Sequence, residues 1–170
     1  TGTNTFTENY CTDDSDSDGD TYGFGGALAL TGANASVNIT GNTTFSENYT
    51  FFGGGAIYVR GGTFTAQTDA SGNGMKVKDN YLTNDKDLEF SGAGMFINPF
   101  AELNVSLNGC EFDSNYMTQY NLGSEGASLS IVDPVDRANF NFTANNCLFT
   151  KTNTKLKEPC RNGGAIMLQY

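Results

Sequence analysis

The feature that most constrains the fold is a two-part repeat, strongest at Phe45-Ser46-Glu47-Asn48-Tyr49 followed by Gly54-Gly55-Ala56-Ile57-Tyr58-Val59. Its first half returns as Phe6-Thr7-Glu8-Asn9-Tyr10, Val77-Lys78-Asp79-Asn80-Tyr81 and Phe112-Asp113-Ser114-Asn115-Tyr116, with a degraded copy at Phe149. Its second half returns as Gly25-Gly26-Ala27-Leu28, Gly92-Ala93-Gly94-Met95, Gly126-Ala127-Ser128-Leu129 and Gly163-Gly164-Ala165-Ile166. Five copies in 170 residues average 34 residues each (170/5), a period that signals a solenoid or array. Inside each copy large apolar residues fall two apart: Leu28 and Leu30, Ile57 and Val59, Met95 and Ile97, Leu129 and Ile131, Ile166 and Leu168. That spacing is the strand period of two rather than the helical 3.6.

The residues between these pairs, Ala29, Tyr58, Phe96, Ser130 and Met167, vary in character and are expected to point outward. The apolar columns are expected to point inward and to stack like on like at about 4.8 Å per layer. A small-residue column, Gly26, Gly55, Ala93, Ala127 and Gly164, is expected where the coil turns tightly. The chain therefore reads as all-β, with parallel strands wound into a solenoid of about five rungs.

The pairing of Phe-x-x-Asn with Gly-Gly-Ala-Ile/Leu resembles the repeat of the chlamydial-type polymorphic outer-membrane proteins and their right-handed parallel β-helix relatives. The likeness covers the five rungs, with partial matches in the third and fourth, where Val77 stands for Phe and Gly94 or Ser128 for Ala. It implies a right-handed, single-stranded parallel β-helix, extracellular and passenger-like, used in adhesion or surface coating. It implies no catalytic residues, and the membrane-anchoring barrel of that family has no counterpart in this sequence.

The chain is expected to form one domain over 1–170, with rungs at about 1–30, 33–59, 61–97, 101–132 and 138–170. No run of about eighteen apolar residues is present, so no membrane-spanning helix is expected. No signal peptide is visible, and the polar start Thr1-Gly2-Thr3-Asn4 reads as a mature or trimmed fragment. A net charge of −10 with only 9 Lys and Arg argues against a nucleic-acid partner and favours cations. The absence of His removes the commonest general base and zinc ligand.

Six Asn-x-Ser/Thr sequons occur, at Asn34, Asn38, Asn42, Asn48, Asn104 and Asn141, and point to a secreted or surface protein carrying N-linked glycans. Asn38, Asn104 and Asn141 each lie between apolar neighbours, the context of an outward strand position, and are expected to form one glycan-bearing column. Asn48 shares a column with Asn9, Asn80 and Asn115; it is expected to be buried in a stacked amide ladder and unglycosylated, leaving Asn34, Asn38, Asn42, Asn104 and Asn141 as the glycan sites. The run Asp14, Asp16, Asp18, Gly19, Asp20 matches the front half of a calcium loop, although Gly25 stands where an EF-hand places its bidentate Glu. Calcium is the one metal the sequence proposes, and a solvated acidic insertion is the alternative. Cys110 and Cys147 occupy matching positions in adjacent rungs and are expected to bridge. Cys11 and Cys160 lie four layers apart, about 19 Å, and are expected to bridge only between protomers stacked head to tail.

Glu8, Glu47 and Asp79 form an acidic column whose last two members suit a glycosidase pair, since retaining enzymes place their carboxylates roughly 5 Å apart. A solvated column beside Lys78 is the plainer reading, because catalysis needs more convergent groups than two acids. Tyr10, Tyr49, Tyr81 and Tyr116 form a ladder expected to pack on itself, with sugar stacking as the alternative. The function expected is that of an extracellular structural protein, not an enzyme, whose glycosylated subunits stack end to end into a fibre. A carbohydrate-binding adhesin and a polysaccharide-degrading β-helix enzyme are the alternatives.

Overall fold

The computed structural model describes residues 2–11, 23–83, 92–118, 128–132, 139–151 and 164–168. The first turn comprises β1 (Asn4–Thr7), β2 (Tyr10–Cys11), β3 (Leu28–Leu30) and β4 (Ser36–Thr40). The second comprises β5 (Thr43–Ser46), β6 (Tyr49–Thr50), β7 (Ile57–Val59) and β8 (Gly62–Gln67). The third comprises β9 (Met75–Lys78), β10 (Tyr81–Leu82), β11 (Met95–Ile97) and β12 (Leu103–Asn108), and the fourth β13 (Glu111–Asp113), β14 (Tyr116–Met117), β15 (Leu129–Ile131) and β16 (Phe140–Asn145). β17 (Leu148–Thr150) and β18 (Ile166–Leu168) begin a further turn. Every described element is a strand and every strand pairing is parallel.

Each strand pairs with its counterparts in the turns before and after, which builds four sheets: β1-β5-β9-β13-β17, β2-β6-β10-β14, β3-β7-β11-β15-β18 and β4-β8-β12-β16. The chain is thus a parallel β-solenoid. The expectation of about five rungs needs trimming: two faces carry five strands, the other two carry four, and only about three turns have neighbours on both sides.

The register places like on like. Phe6, Phe45, Val77, Phe112 and Phe149 share one column. Its rings stack face to face, 4.7 Å apart for Phe6 and Phe45 and 4.8 Å for Phe112 and Phe149. Leu28, Ile57, Met95, Leu129 and Ile166 share another, and Leu30, Val59, Ile97, Ile131 and Leu168 a third. With Phe64, Leu103, Val105 and Leu107 from the fourth sheet these columns fill one continuous core. Most inward positions are buried as expected; Leu28 is half-buried, and Ile166 and Leu168 are exposed because nothing in the described structure covers the last turn.

Two expectations about side-chain placement are overturned. Tyr58, Phe96, Ser130 and Met167 do not face solvent: they are buried, and only Ala29 of that column is exposed. The reason is a second apolar layer outside the third sheet, where Phe24 stacks on Tyr58 at 4.5 Å and Tyr58 lies 5.7 Å from Phe96. The turning residues also lie one position earlier than expected. Gly25, Gly54 and Gly92 take φ of 68°, 63° and 60°, a region glycine enters without penalty. Gly26 and Gly55 are small for a different reason: a Cβ on Gly55 would strike the Ala93 carbonyl oxygen of the next turn. Ala127 lies outside the described residues; Ala93 and Gly164 hold the matching positions in the third and last turns.

Because Ile57 is fully buried between Leu28 and Met95 of adjacent turns, Ile57→Asp would place a carboxylate in a closed apolar column. Urea denaturation should show a loss of about 3–5 kcal/mol. An unchanged unfolding midpoint would refute the register.

Candidate functional site

Between the first and second sheets the chain turns a corner in every complete turn. The residue at the bend is left-handed each time: Glu8, Glu47, Asp79 and Ser114 have φ of 55°, 57°, 55° and 55°. Non-glycine residues enter this region at a cost of the order of 1–3 kcal/mol unless their surroundings enforce it. The enforcing element is the next residue. Asn48, Asn80 and Asn115 are fully buried and form a directional amide ladder that begins at Asn9.

The geometry repeats from turn to turn. Asn9 Nδ2 donates to Asn48 Oδ1 at 2.9 Å, Asn48 Nδ2 to Asn80 Oδ1 at 2.9 Å, and Asn80 Nδ2 to Asn115 Oδ1 at 3.0 Å. The same Oδ1 atoms accept the backbone N–H of the preceding Asn, at 3.0, 3.0 and 3.1 Å. The second amide hydrogen reaches back to a carbonyl one turn earlier: Asn48 to Phe6 at 3.0 Å, Asn80 to Phe45 at 3.1 Å and Asn115 to Val77 at 2.8 Å. For Asn48 and Asn80 both donors and the acceptor are used, which is what allows a polar side chain to stay dry. Asn48 is therefore inaccessible in the folded chain despite its sequon.

Outside this ladder stand the tyrosines. Tyr10, Tyr49, Tyr81 and Tyr116 stack with centroids 5.2, 5.0 and 5.2 Å apart and planes within 20°. Together with Glu8, Glu47 and Asp79 they line an open groove of about 710 Å³. Burial, then the neighbouring Tyr116 and Tyr49 and the Glu47 carboxylate, hold the Tyr81 hydroxyl above the usual tyrosine range. Because the rings cover one another's faces, a ligand in the groove would meet ring edges, hydroxyls and carboxylates rather than a stacking platform, and the ladder reads as packing. The Glu47 and Asp79 pair considered for hydrolysis does share this groove.

The fourth sheet presents a different surface. Its outward columns are Ser36-Thr63-Asn104-Asn141, Asn38-Thr65-Ser106-Thr143 and Thr40-Gln67-Asn108-Asn145. None of these side chains carries a charge. The three strand sequons share this face but not one column: Asn104 and Asn141 are register partners, with Asn141 Nδ2 donating to Asn104 Oδ1 at 2.9 Å, whereas Asn38 aligns with Thr65, two residues further along. Asn34 is exposed just before β4 and Asn42 half-buried just after it.

The expected Cys110–Cys147 bridge is not formed: both are free thiols, Cys110 buried and Cys147 half-buried. In-register parallel neighbours sit about 4.8 Å apart with parallel Cβ vectors, wider than the ~3.8 Å Cβ separation of a disulfide. Cys11 is a free, half-buried thiol, and Cys160 lies outside the described residues, as do Asp14, Asp16, Asp18 and Asp20 of the candidate calcium loop. Among the described residues no group of three or more acidic or thiol side chains is placed to hold a metal ion, and no helix is long and apolar enough to cross a membrane.

Compared with protein-family models, with curated proteins and with solved structures, the chain matches none of them.

Two measurements check this geometry. Asn80→Ala removes the acceptor of the Asn48 backbone N–H and of one Asn48 side-chain N–H, and a donor to the Phe45 carbonyl, in a dry corner, so chemical denaturation should show a loss of about 3–5 kcal/mol, against less than ~1 kcal/mol for Asn9→Ala at the exposed end. Equal effects would refute the ladder. Burial and the adjacent Cys147 push the Cys110 thiol up to about 12, so it stays protonated at pH 8. Iodoacetamide should modify Cys110 at least ~100-fold more slowly in the folded protein than after unfolding; equal rates would count against the stacked, buried thiol.

Proposed function

We propose that the protein is an extracellular structural solenoid, secreted or held at a surface, whose subunits stack end to end into a fibre. One observation carries this reading: the columns that are dry inside the coil are open in its end turns. Phe6 is 39% exposed where Phe45 in the same column is 1%, and Leu168 is 70% exposed where Ile131 is 5%. Ile166 is 39% exposed where Leu129 and Met95 in the same column are fully buried. A further turn is the structure that fits such a cross-section, because it supplies parallel backbone partners and matching apolar columns together. The ladder is directional as well, accepting at Oδ1 toward the preceding turn and donating toward the following one, so a turn added before Asn9 would meet its acceptor side; in the last turn the matching position is Thr152. Contacts of this kind do not close and lead to filaments.

The same contacts arise if the next turn belongs to more of one long chain. The likeness to the chlamydial-type surface-protein repeat agrees with either arrangement and with an extracellular location, as do the accessible sequons. The groove of tyrosines and carboxylates supports the adhesin as a second reading, with sugar hydroxyls meeting the carboxylates at its rim.

Electron microscopy and velocity sedimentation test the proposal. The chain should form filaments, and Leu168→Glu, which puts a charge into the exposed end column, should leave single subunits with unchanged circular dichroism. Single subunits from the unsubstituted chain at all concentrations would refute self-stacking, and native material that runs as one very long, reductant-resistant polypeptide would assign the contacts to a longer solenoid.

A further inference from the structure

We propose that the uncharged face built by β4, β8, β12 and β16 docks on the same face of a second copy, and that glycans on its sequons keep the copies apart. The inference rests on the end-to-end reading only for its consequence, the bundling of fibres; the pairing itself needs two chains.

The first argument is charge. The chain carries a net −10, so two copies repel each other wherever charged surfaces approach. The first sheet presents Lys76, Lys78, Glu111 and Asp113, with Lys76 paired to Glu111 at 3.6 Å, and the tyrosine groove is bordered by Glu8, Glu47 and Asp79. The outer surface of the third sheet is mostly buried beneath its aromatic layer. Among the described residues this leaves the fourth sheet as the exposed face whose outward strand positions carry no charge, so two copies meet there over uncharged columns, with Glu102 and Asp69 only at its margins, just outside the ends of β12 and β8.

The second argument is shape and chemistry. Its side chains are short hydroxyls and amides in three in-register columns, one layer per turn. Stacked Asn and Gln ladders on parallel, in-register strands are the chemistry by which two sheets interdigitate in a dry interface, about 10 Å apart. The columns already bond along their length, as Asn141 to Asn104 and Gln67 Nε2 to Thr40 Oγ1 at 3.3 Å, so fewer polar groups need a partner from the opposing sheet.

The third argument is the placement of the sequons. Asn38, Asn104 and Asn141 sit on this face, and Asn34 and Asn42 flank β4. The remaining sequon, Asn48, is buried elsewhere. Accessible glycan acceptors therefore gather where charge is lacking, and bulky, solvated sugars there do what charge does on the other faces. Three outward residues per strand on four strands is a small interface beside the roughly 20–30 residues a side of a stable complex. One pair of chains therefore binds weakly, whereas stacked subunits add their contacts along the fibre.

The test uses the full chain carrying Leu168→Glu, so that end-to-end contacts do not contribute, in three forms: with its N-glycans, with Asn34, Asn38, Asn42, Asn104 and Asn141 changed to Gln, and with Thr65→Lys and Ser106→Lys added to the Gln form. Sedimentation equilibrium up to about 100 µM should show the glycosylated form monomeric, the Gln form in concentration-dependent dimers, and the Lys form with a dimer Kd raised ~tenfold or more. Circular dichroism confirms that each form is folded. A Gln form that stays monomeric while folded overturns the proposal, as does a Lys form that dimerises equally well. Without the Leu168→Glu change, bundled filaments of the Gln form and separate filaments of the glycosylated form are expected; the absence of filaments in both would refute end-to-end stacking and leave the dimer result to decide the face.

Discussion

Every other feature of this structure depends on the in-register parallel pairing of successive turns. Parallel, in-register pairing makes each residue the neighbour of its own counterpart, so a side chain is tolerated only if it packs against a copy of itself or a close relative. Phenylalanine on phenylalanine, tyrosine on tyrosine and asparagine on asparagine all satisfy that rule. The amide ladder is the most demanding case. A buried asparagine with unused donors is costly, and here Asn48 and Asn80 are each completed by the asparagines of the turns before and after together with a backbone carbonyl of the preceding turn.

That dependence explains why strain at the corner is tolerated. Glu8, Glu47, Asp79 and Ser114 adopt a left-handed backbone that none of them favours alone. Each is held between a strand fixed by its neighbours in the sheet and an asparagine fixed by the ladder. The bend also turns the carboxylates out beside the tyrosines, so one backbone constraint creates both the dry corner and the polar groove next to it.

The faces of the coil divide the work of keeping the molecule in solution. Charged pairs and acids serve two of them and an aromatic layer covers a third. The fourth relies on uncharged hydroxyls and amides, where the accessible sequons gather. A solenoid repeats whatever it displays, so an uncharged position in one turn becomes an uncharged stripe over four.

Strand type, parallel stacking, the inward columns and the asparagine ladder were legible in the sequence, because each is local and recurs: a period of two inside a copy and a period near 34 between copies leave few other arrangements. What escaped it depends on neighbours that no single copy contains. Tyr58 and Phe96 alternate with core residues and read as outward, yet Phe24 from another segment covers Tyr58. Asn38 has the same local context as Asn104, yet a two-residue offset in strand register separates their columns. Cys110 and Cys147 share matching positions, but parallel Cβ vectors, set by the sheet rather than by spacing in the chain, hold their sulfurs unbonded. The sequence determined which residues repeat; register and coverage, fixed only when turns pack on turns, decided which of those repeats face water, each other or a partner.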